Sequence, residues 1–326
     1  MKVAIYGISK NEERNVKDFM ASVGDCPVYI LDTGSSDKTV EVLRDCGAIV
    51  VSEEITPWAF DTARNKALSY VPDDVDVCIS LDLDERLEEG WQDKLKREWT
   101  GNIGSVSLVD EWTDGGKPAV QSSRFRIHSR NSCKWSRKVH ELLHVKEGVH
   151  AHFCETSIVV SHFPLEANKD YTPMLRQVLE EDPNNFDAWV QLAGDLQNLE
   201  RYDESLSAYK TFLKLVAERP DPGMSFRCSI AWIGVAQCAF KLNRMKEMQK
   251  AFLFAVAEEP DSREAWTHLA HLMLQMGNAP LAYGCAVSAK KITTAPSYVV
   301  KDLVCWGDLP NNIAKQAFAE VITGVE

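Results

Sequence analysis

In this chain the residues suited to chemistry fall at the ends of apolar runs. Val77-Cys78-Ile79-Ser80-Leu81 leads straight into Asp82-Leu83-Asp84, and Val28-Tyr29-Ile30-Leu31 leads into Asp32. An apolar run of that kind buries its length as a strand and delivers the next residues to the C-terminal edge of a sheet. Open α/β sheets bind their ligands at that edge. Two aspartates one residue apart offer hard oxygen donors that suit Mg²⁺ or Mn²⁺, ions that prefer carboxylates, waters and substrate phosphates. The chemistry predicted at Asp82 and Asp84 is therefore the binding of a metal-bound, phosphate-bearing substrate.

The elements that must position these carboxylates alternate at a regular spacing. Strands are predicted over Val3 to Ile8, Val28 to Leu31, Ala48 to Val51 and Val75 to Leu81. Between them lie amphipathic helices carrying Val16, Phe19 and Met20, then Val40, Val42 and Leu43, then the stretch Asp61 to Tyr70. This alternation predicts right-handed βαβ units and a mostly parallel sheet. Gly34 supplies backbone freedom in the turn after Asp32, with Ser35 or Ser36 expected to cap the next helix. After Trp99 the pattern changes. Ser105 to Val109, a Thr113-Asp114-Gly115-Gly116 turn and Ser123 to His128 read as antiparallel pieces added to the sheet.

From about residue 166 the chain becomes helical and repetitive. Trp189, Trp232 and Trp266 open similar segments, followed in phase by Leu192, Val235 and Leu269, then by Ala193, Ala236 and Ala270. The last two tryptophans are separated by the tetratricopeptide period. The wider first spacing is assigned to a longer loop around Glu218-Arg219-Pro220-Asp221-Pro222-Gly223. Asp182-Pro183-Asn184-Asn185 and Glu259-Pro260-Asp261-Ser262 are the expected turns opening two repeats. The domain division expected is 1–165 for the α/β part and 166–326 for about three tetratricopeptide-like repeats with a capping helix after Pro310.

Composition narrows the classes. Hydrophobic residues make up 45% and charged residues 26%, which is ordinary for a soluble globular protein. No Cys-x-x-Cys pair occurs among the nine cysteines, so a zinc site is not expected, and reduced thiols in a cytoplasmic protein fit best. The opening Met1-Lys2-Val3-Ala4-Ile5-Tyr6-Gly7 reads as a core strand rather than a signal segment. No apolar run is long enough to span a membrane. A formal charge of -12 disfavours non-specific binding to nucleic acid or anionic membrane. Against that acidic whole, Arg124, Arg126, Arg130, Lys134, Arg137 and Lys138 form a local basic strip, which keeps a diphosphate, an anionic acceptor or DNA in view.

Taken together, Ile8-Ser9-Lys10-Asn11-Glu12, Asp32-Thr33-Gly34-Ser35-Ser36-Asp37, Ala63-Arg64-Asn65 and Leu81-Asp82-Leu83-Asp84-Glu85 resemble family 2 glycosyltransferases in order and spacing. The resemblance covers residues 1 to about 165. It implies an α/β GT-A fold, a Rossmann-like nucleotide-binding sheet with helices on both faces, followed here by the all-α repeats. It also implies a nucleotide-sugar donor, UDP-linked by expectation, and a Mn²⁺ or Mg²⁺ ion. By that resemblance Asp32 would read the nucleobase, Glu12 would lie near the ribose, Ser9 would line the nucleotide site, and Arg64 would approach the diphosphate or base. Asp82 and Asp84 would hold the metal, with Asp84 the more direct ligand and Asp82 serving mainly the ribose or a metal-bound water. His162 would complete the metal shell.

The catalytic base is less constrained. Trp135-Ser136-Arg137-Lys138-Val139-His140-Glu141 resembles a Trp-x-x-x-Val-His-Glu signature of related transferases, which makes Glu141 the first candidate, with Asp110 and Glu111 behind it. An inverting mechanism needs one such base opposite the leaving group. His140, His144, His150 and His152 do not define a ligand set.

Three functions stay open. The first is a metal-dependent inverting glycosyltransferase acting on a protein, peptide or glycan, whose repeats bind the acceptor, dimerise or only scaffold. The second is transfer to modified bases in phage DNA. The third is a non-catalytic, repeat-based adaptor carrying a degenerate transferase domain.

Overall fold

The computed structural model describes residues 1–112, 118–164, 169–219, 222–294 and 301–323, leaving aside the side chains of 111–112, 118–120, 222 and 301–303. The chain divides into two compact units that meet in sequence between residues 167 and 168.

The first unit is built on a curled, mixed sheet. Its first strands are β1 (Val3–Ser9), β2 (Val28–Asp32), β3 (Ile49–Ser52), β4 (Val77–Ser80) and β5 (Glu85–Leu87). There follow β6 (Ile103–Trp112), β7 (Pro118–Ser129) and β10 (Phe153–His162), while β8 (Cys133–Ser136) and β9 (Leu142–Val145) form a separate hairpin. The order across the sheet is β3-β2-β1-β4-β7-β6-β10-β5. The first four strands are mutually parallel, as the βαβ spacing requires. Beyond β4 the expectation of a mostly parallel sheet gives way. β7 runs antiparallel to both β4 and β6, β10 runs parallel to β6, and β5 pairs antiparallel to β10. The reason is visible in the chain: only five residues lie between the end of β6 and the start of β7, fewer than the dozen or more that a parallel crossover needs.

Helices pack on both faces of the parallel part. Val16, Phe19 and Val23 of α1 (Glu13–Val23), Leu43 of α2 (Thr39–Asp45) and Trp91 and Leu95 of α4 (Trp91–Glu98) meet Ile5, Ile30 and Ile79 on one face. Ala63, Ala67 and Leu68 of α3 (Phe60–Ser69) meet Ala4, Tyr6, Leu31 and Cys78 on the other. Each fully buried aliphatic side chain contributes on the order of 1.5–3 kcal/mol, so two clusters of this size fix the sheet firmly. This mixed sheet and the helical region after it are what the fold shows; a GT-A Rossmann-like sheet is not established by it.

The turn after β2 corrects one local expectation. Neither Ser35 nor Ser36 caps α2. The residue before α2 is Lys38, and it makes no side-chain cap; Asp37 accepts from the Thr39 amide at 3.0 Å and the Thr39 hydroxyl at 2.5 Å. Ser35 and Ser36 are drawn to Asn11, accepting from its amide and donating to its Oδ1 respectively. The Thr113–Gly116 turn lies outside the described residues.

The second unit is helical: α5 (Thr172–Glu181), the pairs α6 (Phe186–Asn198) with α7 (Tyr202–Glu218), α8 (Ser225–Lys241) with α9 (Met245–Glu258) and α10 (Arg263–Gln275) with α11 (Ala279–Lys291), then α12 (Leu303–Trp306) and α13 (Leu309–Thr323). The phased positions do what their residue types demand. Leu192, Val235 and Leu269 are buried, and Ala193, Ala236 and Ala270 are fully excluded from solvent where helices touch. Asn185 and Ser262 cap α6 and α10 by accepting from Ala188 and Ala265 amides at 3.0 and 3.2 Å. The wide first spacing does not come mainly from a loop. α7 and α8 are each 17 residues long against 13 in α6, α10 and α11, so the extra residues extend the helices by about a turn each. Of the loop assigned to that spacing, residues 220 and 221 lie outside the described residues. Among the described residues no helix is long and apolar enough to cross a membrane.

Candidate functional site

At the C-terminal ends of β1, β2 and β4 the sequence-predicted residues do gather, but their partners differ from those expected. Asp32 ends β2 almost fully buried. Its two oxygens accept from the Gly34 and Ser35 amides at 3.2 and 3.1 Å, from the Ser9 hydroxyl at 3.1 Å and from the Ser35 hydroxyl at 2.5 Å. Gly34 adopts φ +107, a conformation open to glycine, so the chain folds back over the carboxylate. Ser9 and Asp32 are thus joined side by side at the ends of β1 and β2. Glu12 stands at the start of α1, where its carboxylate accepts from Asn15 Nδ2 at 2.8 Å and its amide donates to the Thr39 hydroxyl.

Arg64 is the hub. It projects from α3 and is 4% exposed. Its two terminal nitrogens grip Asp82 in a fork, Nη1 to Oδ1 and Nη2 to Oδ2 at 2.9 Å each, while Nε pairs with Glu141. Its guanidinium also lies 5.1 Å from the centre of the Trp135 ring. A planar five-donor group is what satisfies two carboxylates and a ring at once. Asn65, the next residue, exchanges two hydrogen bonds with the Trp135 backbone at 2.9 and 3.0 Å, which ties the β8–β9 hairpin to α3. Glu141, the first candidate for a general base, is therefore engaged with a buried cation in this arrangement.

Two arginines on β7 that carried only a generic basic strip in the sequence belong to the same cluster. Arg126 Nη2 reaches Glu85 at 2.8 Å and Asp82 at 3.6 Å. Arg124 lies two residues earlier on β7, across a break in the ladder register, and Asp110 is the chief charge stabilising it. Of the rest of the strip, Arg130 donates to the Val71 carbonyl at 3.0 and 2.8 Å and pairs with Asp73.

The electrostatics follow from burial and pairing. Burial opposes the charge on Asp82, but Arg64 and then Arg126 more than offset it and hold the carboxyl well below its usual range. Glu85 is shifted the other way, because burial outweighs Arg126. The two DxD aspartates take different hydrogen-bonded partners. Asp84 turns to His162, whose Nε2 lies 3.3 Å from Asp84 Oδ2 and whose Nδ1 lies 3.4 Å from Asp110 Oδ1. Those two carboxylates push the imidazole up to about 10. Among the described residues no three His, Cys, Asp or Glu side chains come together as a metal-ligand set. In this arrangement Asp82 is paired with arginines and Asp84 with His162. Glu111 lies in β6, with its side chain outside the described residues.

A second candidate site lies wholly within the helical unit and was not located by sequence. A groove of about 430 Å³ is lined by the first helices of the three pairs, through Gln197 and Asn198, Gln237, Phe240 and Lys241, and His271 and Gln275, with Tyr202, Met248 and Phe252 from the second helices. Gln197 sits at its head, accepting from the Tyr209 hydroxyl at 3.2 Å and donating to Gln237 Oε1 at 2.7 Å. The phase of the tryptophans carries a signal for it: Gln197 and Asn198, Phe240 and Lys241, and Gln275 follow their tryptophans by eight or nine residues.

No family model and no curated protein matches this chain. The solved structures to which it is similar include two of MamA, both at 16% identity and TM-score 0.33, covering 47% and 46% of this chain and 88% and 76% of theirs. The APC/C hetero-tetramer Cut9-Hcn1 is similar at 12% identity over 44% of this chain and 26% of that one, with TM-score 0.37. These findings correct the resemblance to family 2 glycosyltransferases. The solved structures named are tetratricopeptide-like helical proteins, and none of them is a GT-A glycosyltransferase.

Proposed function

We propose that this protein is a repeat-based adaptor whose helical unit binds a segment of a partner protein. The observation that supports this reading is the groove itself: three helices present amide, imidazole and ammonium groups beside Phe240, an aromatic ring left 51% exposed. Stacked helix pairs create extended concave surfaces of this kind, and exposed aromatics flanked by polar donors are the usual anchors of recognition. The test is site-specific photo-crosslinking in the native cell from benzoylphenylalanine placed at position 240. Discrete protein adducts are expected there and none from position 214, an exposed site on α7. Equal labelling from both positions would refute the reading.

A second reading concerns the first unit, and the Arg64–Asp82–Arg126 cluster at the strand ends, with Arg64 buried and Asp82 partly exposed, is what supports it. In this reading the unit transfers a sugar from a nucleotide-linked donor, a UDP-sugar being the first to test. The lone pair of an acceptor hydroxyl would form the new bond to the anomeric carbon with inversion, the bond to the diphosphate would break, and Asp110 or Glu141 would take the hydroxyl proton. Arg64 and Arg126 would face the leaving diphosphate. UDP release from UDP-sugars, measured with and without Mn²⁺, tests it. Donor-dependent release abolished by Arg126→Gln is expected, and its absence with every donor would dismiss the enzyme. For the setting, seven of the nine free cysteines are buried thiols, which fits a reducing, cytoplasmic compartment.

A further inference from the structure

The groove has a chemical sign. None of the thirteen residues lining it is aspartate or glutamate, although the chain carries 48 acidic residues against 36 basic ones. Its one full cation is Lys241, exposed at the end of α8. The Lys241 ammonium lies 5.9 Å from the centre of the Tyr202 ring, and no carboxylate of the described residues pairs with it. Around it stand neutral donors. Gln237 is exposed and one turn back on the same helix, and its carbonyl oxygen is already taken by Gln197, which turns its amide N–H groups outward. His271 comes from α10, where its Nε2 meets Gln275.

A bound segment would therefore meet donors and one positive charge at one end of the groove and the ring of Phe240 beside them. The acidic remainder of the chain does not cancel this. At physiological ionic strength exposed charges are screened beyond about 8 Å, so a ligand in the groove responds to the lining rather than to the distant surface.

We propose that the groove selects a partner segment in which an acidic side chain lies beside an aromatic or aliphatic one, the carboxylate seated on Lys241, Gln237 and His271 and the apolar side chain on Phe240. This rests on the adaptor reading and specifies its ligand. Basic segments are rejected, since they would bring a like charge to Lys241 and leave the amide donors unmatched.

The experiment is selection of a random-peptide library displayed on phage against the full chain. The enriched peptides are then synthesised with a fluorescent label and titrated by anisotropy. Enrichment of Asp or Glu adjacent to Phe, Leu or Ile is expected. Their affinity should fall about tenfold or more in Lys241→Glu, as truncating or reversing one partner of a charge pair does, and be retained in Lys241→Arg. Phe240→Ala should weaken the same peptides. Enrichment of basic or uncharged peptides that still need Phe240 would overturn the proposed chemistry while leaving the groove as a binding site. Acidic peptides bound equally by wild type and Lys241→Glu would overturn it as well. Failure to enrich any peptide sensitive to Phe240→Ala would sink the adaptor reading and this inference with it.

Discussion

The ring of Tyr209 fills the space over Gly234: a β-carbon at Gly234 would stand 2.3 Å from the ring's Cζ. This close approach carries Tyr209 from α7 across to α8 and lets its hydroxyl reach Gln197. The glycine thus holds together the first two helix pairs and the head of the groove. Gly234→Ala is expected to cost about 1–3 kcal/mol, the usual penalty for overpacking a filled core. Gly194→Ala, whose β-carbon would meet only the Tyr209 hydroxyl at 3.9 Å, should be neutral or stabilising by up to about 1 kcal/mol, because alanine is the better helix former. Urea denaturation of the two variants against wild type checks the contrast.

The three repeat tryptophans are equivalent in phase but not in bonding. Trp189 and Trp266 donate from their indole N–H to the Pro183 and Pro260 carbonyls at 2.9 and 2.8 Å. The Trp232 indole N–H is buried and has no partner among the described residues. The early start of α8 accounts for the difference, since the residue six before Trp232 is already helical. Trp→Phe at positions 189 and 266 should therefore cost about 1 kcal/mol more than at position 232, the net worth of one hydrogen bond. Thermal denaturation of the three single variants measures it.

Arg64 binds two carboxylates that would otherwise be left facing each other. Arg64→Met is expected to destabilise the first unit by about 3 kcal/mol or more, the cost of stranding partners of a buried ion pair. Arg64→Lys should recover only part of that loss, because a single ammonium cannot reproduce the fork on Asp82. Full stability in Arg64→Met would show that the cluster is not held by this cation.

Two histidines set opposite pH limits. His128 is fully buried, hydrogen-bonded to the Tyr6 hydroxyl at 2.8 Å, and burial pushes it down to about 4 from 6.5. The unfolded chain therefore binds the extra proton first, and stability is lost as pH falls from about 6.5 toward about 4. His162 is pushed up to about 10 from 6.5 by Asp110 and Asp84. Its contribution is full below about 6.5 and is lost as pH rises toward about 10. Denaturant midpoints across that range should show a maximum between the two limits. His162→Gln should flatten the alkaline limb and His128→Gln the acid one.

How much of this was legible in the sequence depends on whether a feature is local. The parallel strands β1 to β4 and their helices follow from apolar runs broken at regular intervals, and the repeat register follows from Trp189, Trp232 and Trp266 with their in-phase alanines. The site partners were not legible, because they join distant segments. Nothing near Arg64 in the chain announces that Glu141 and Asp82 meet on it, and nothing near Asp82 announces Arg126. The motif Asp82-Leu83-Asp84 reads as one donor pair, yet adjacent alternate residues of a turn can face different neighbours, and here one faces arginines and the other His162. Charge likewise misled at the basic strip, where residue type was plain but Arg126 and Arg130 have internal partners.

The adaptor reading stands or falls on where a partner touches the chain. Amide hydrogen exchange of the full protein, with and without the partner captured from position 240, measures this directly. The account predicts slowed exchange confined to the inner ends of α6, α8 and α10, around Asn198, Lys241 and Gln275, and lost in Phe240→Asp. Protection that falls elsewhere and survives Phe240→Asp would contradict it.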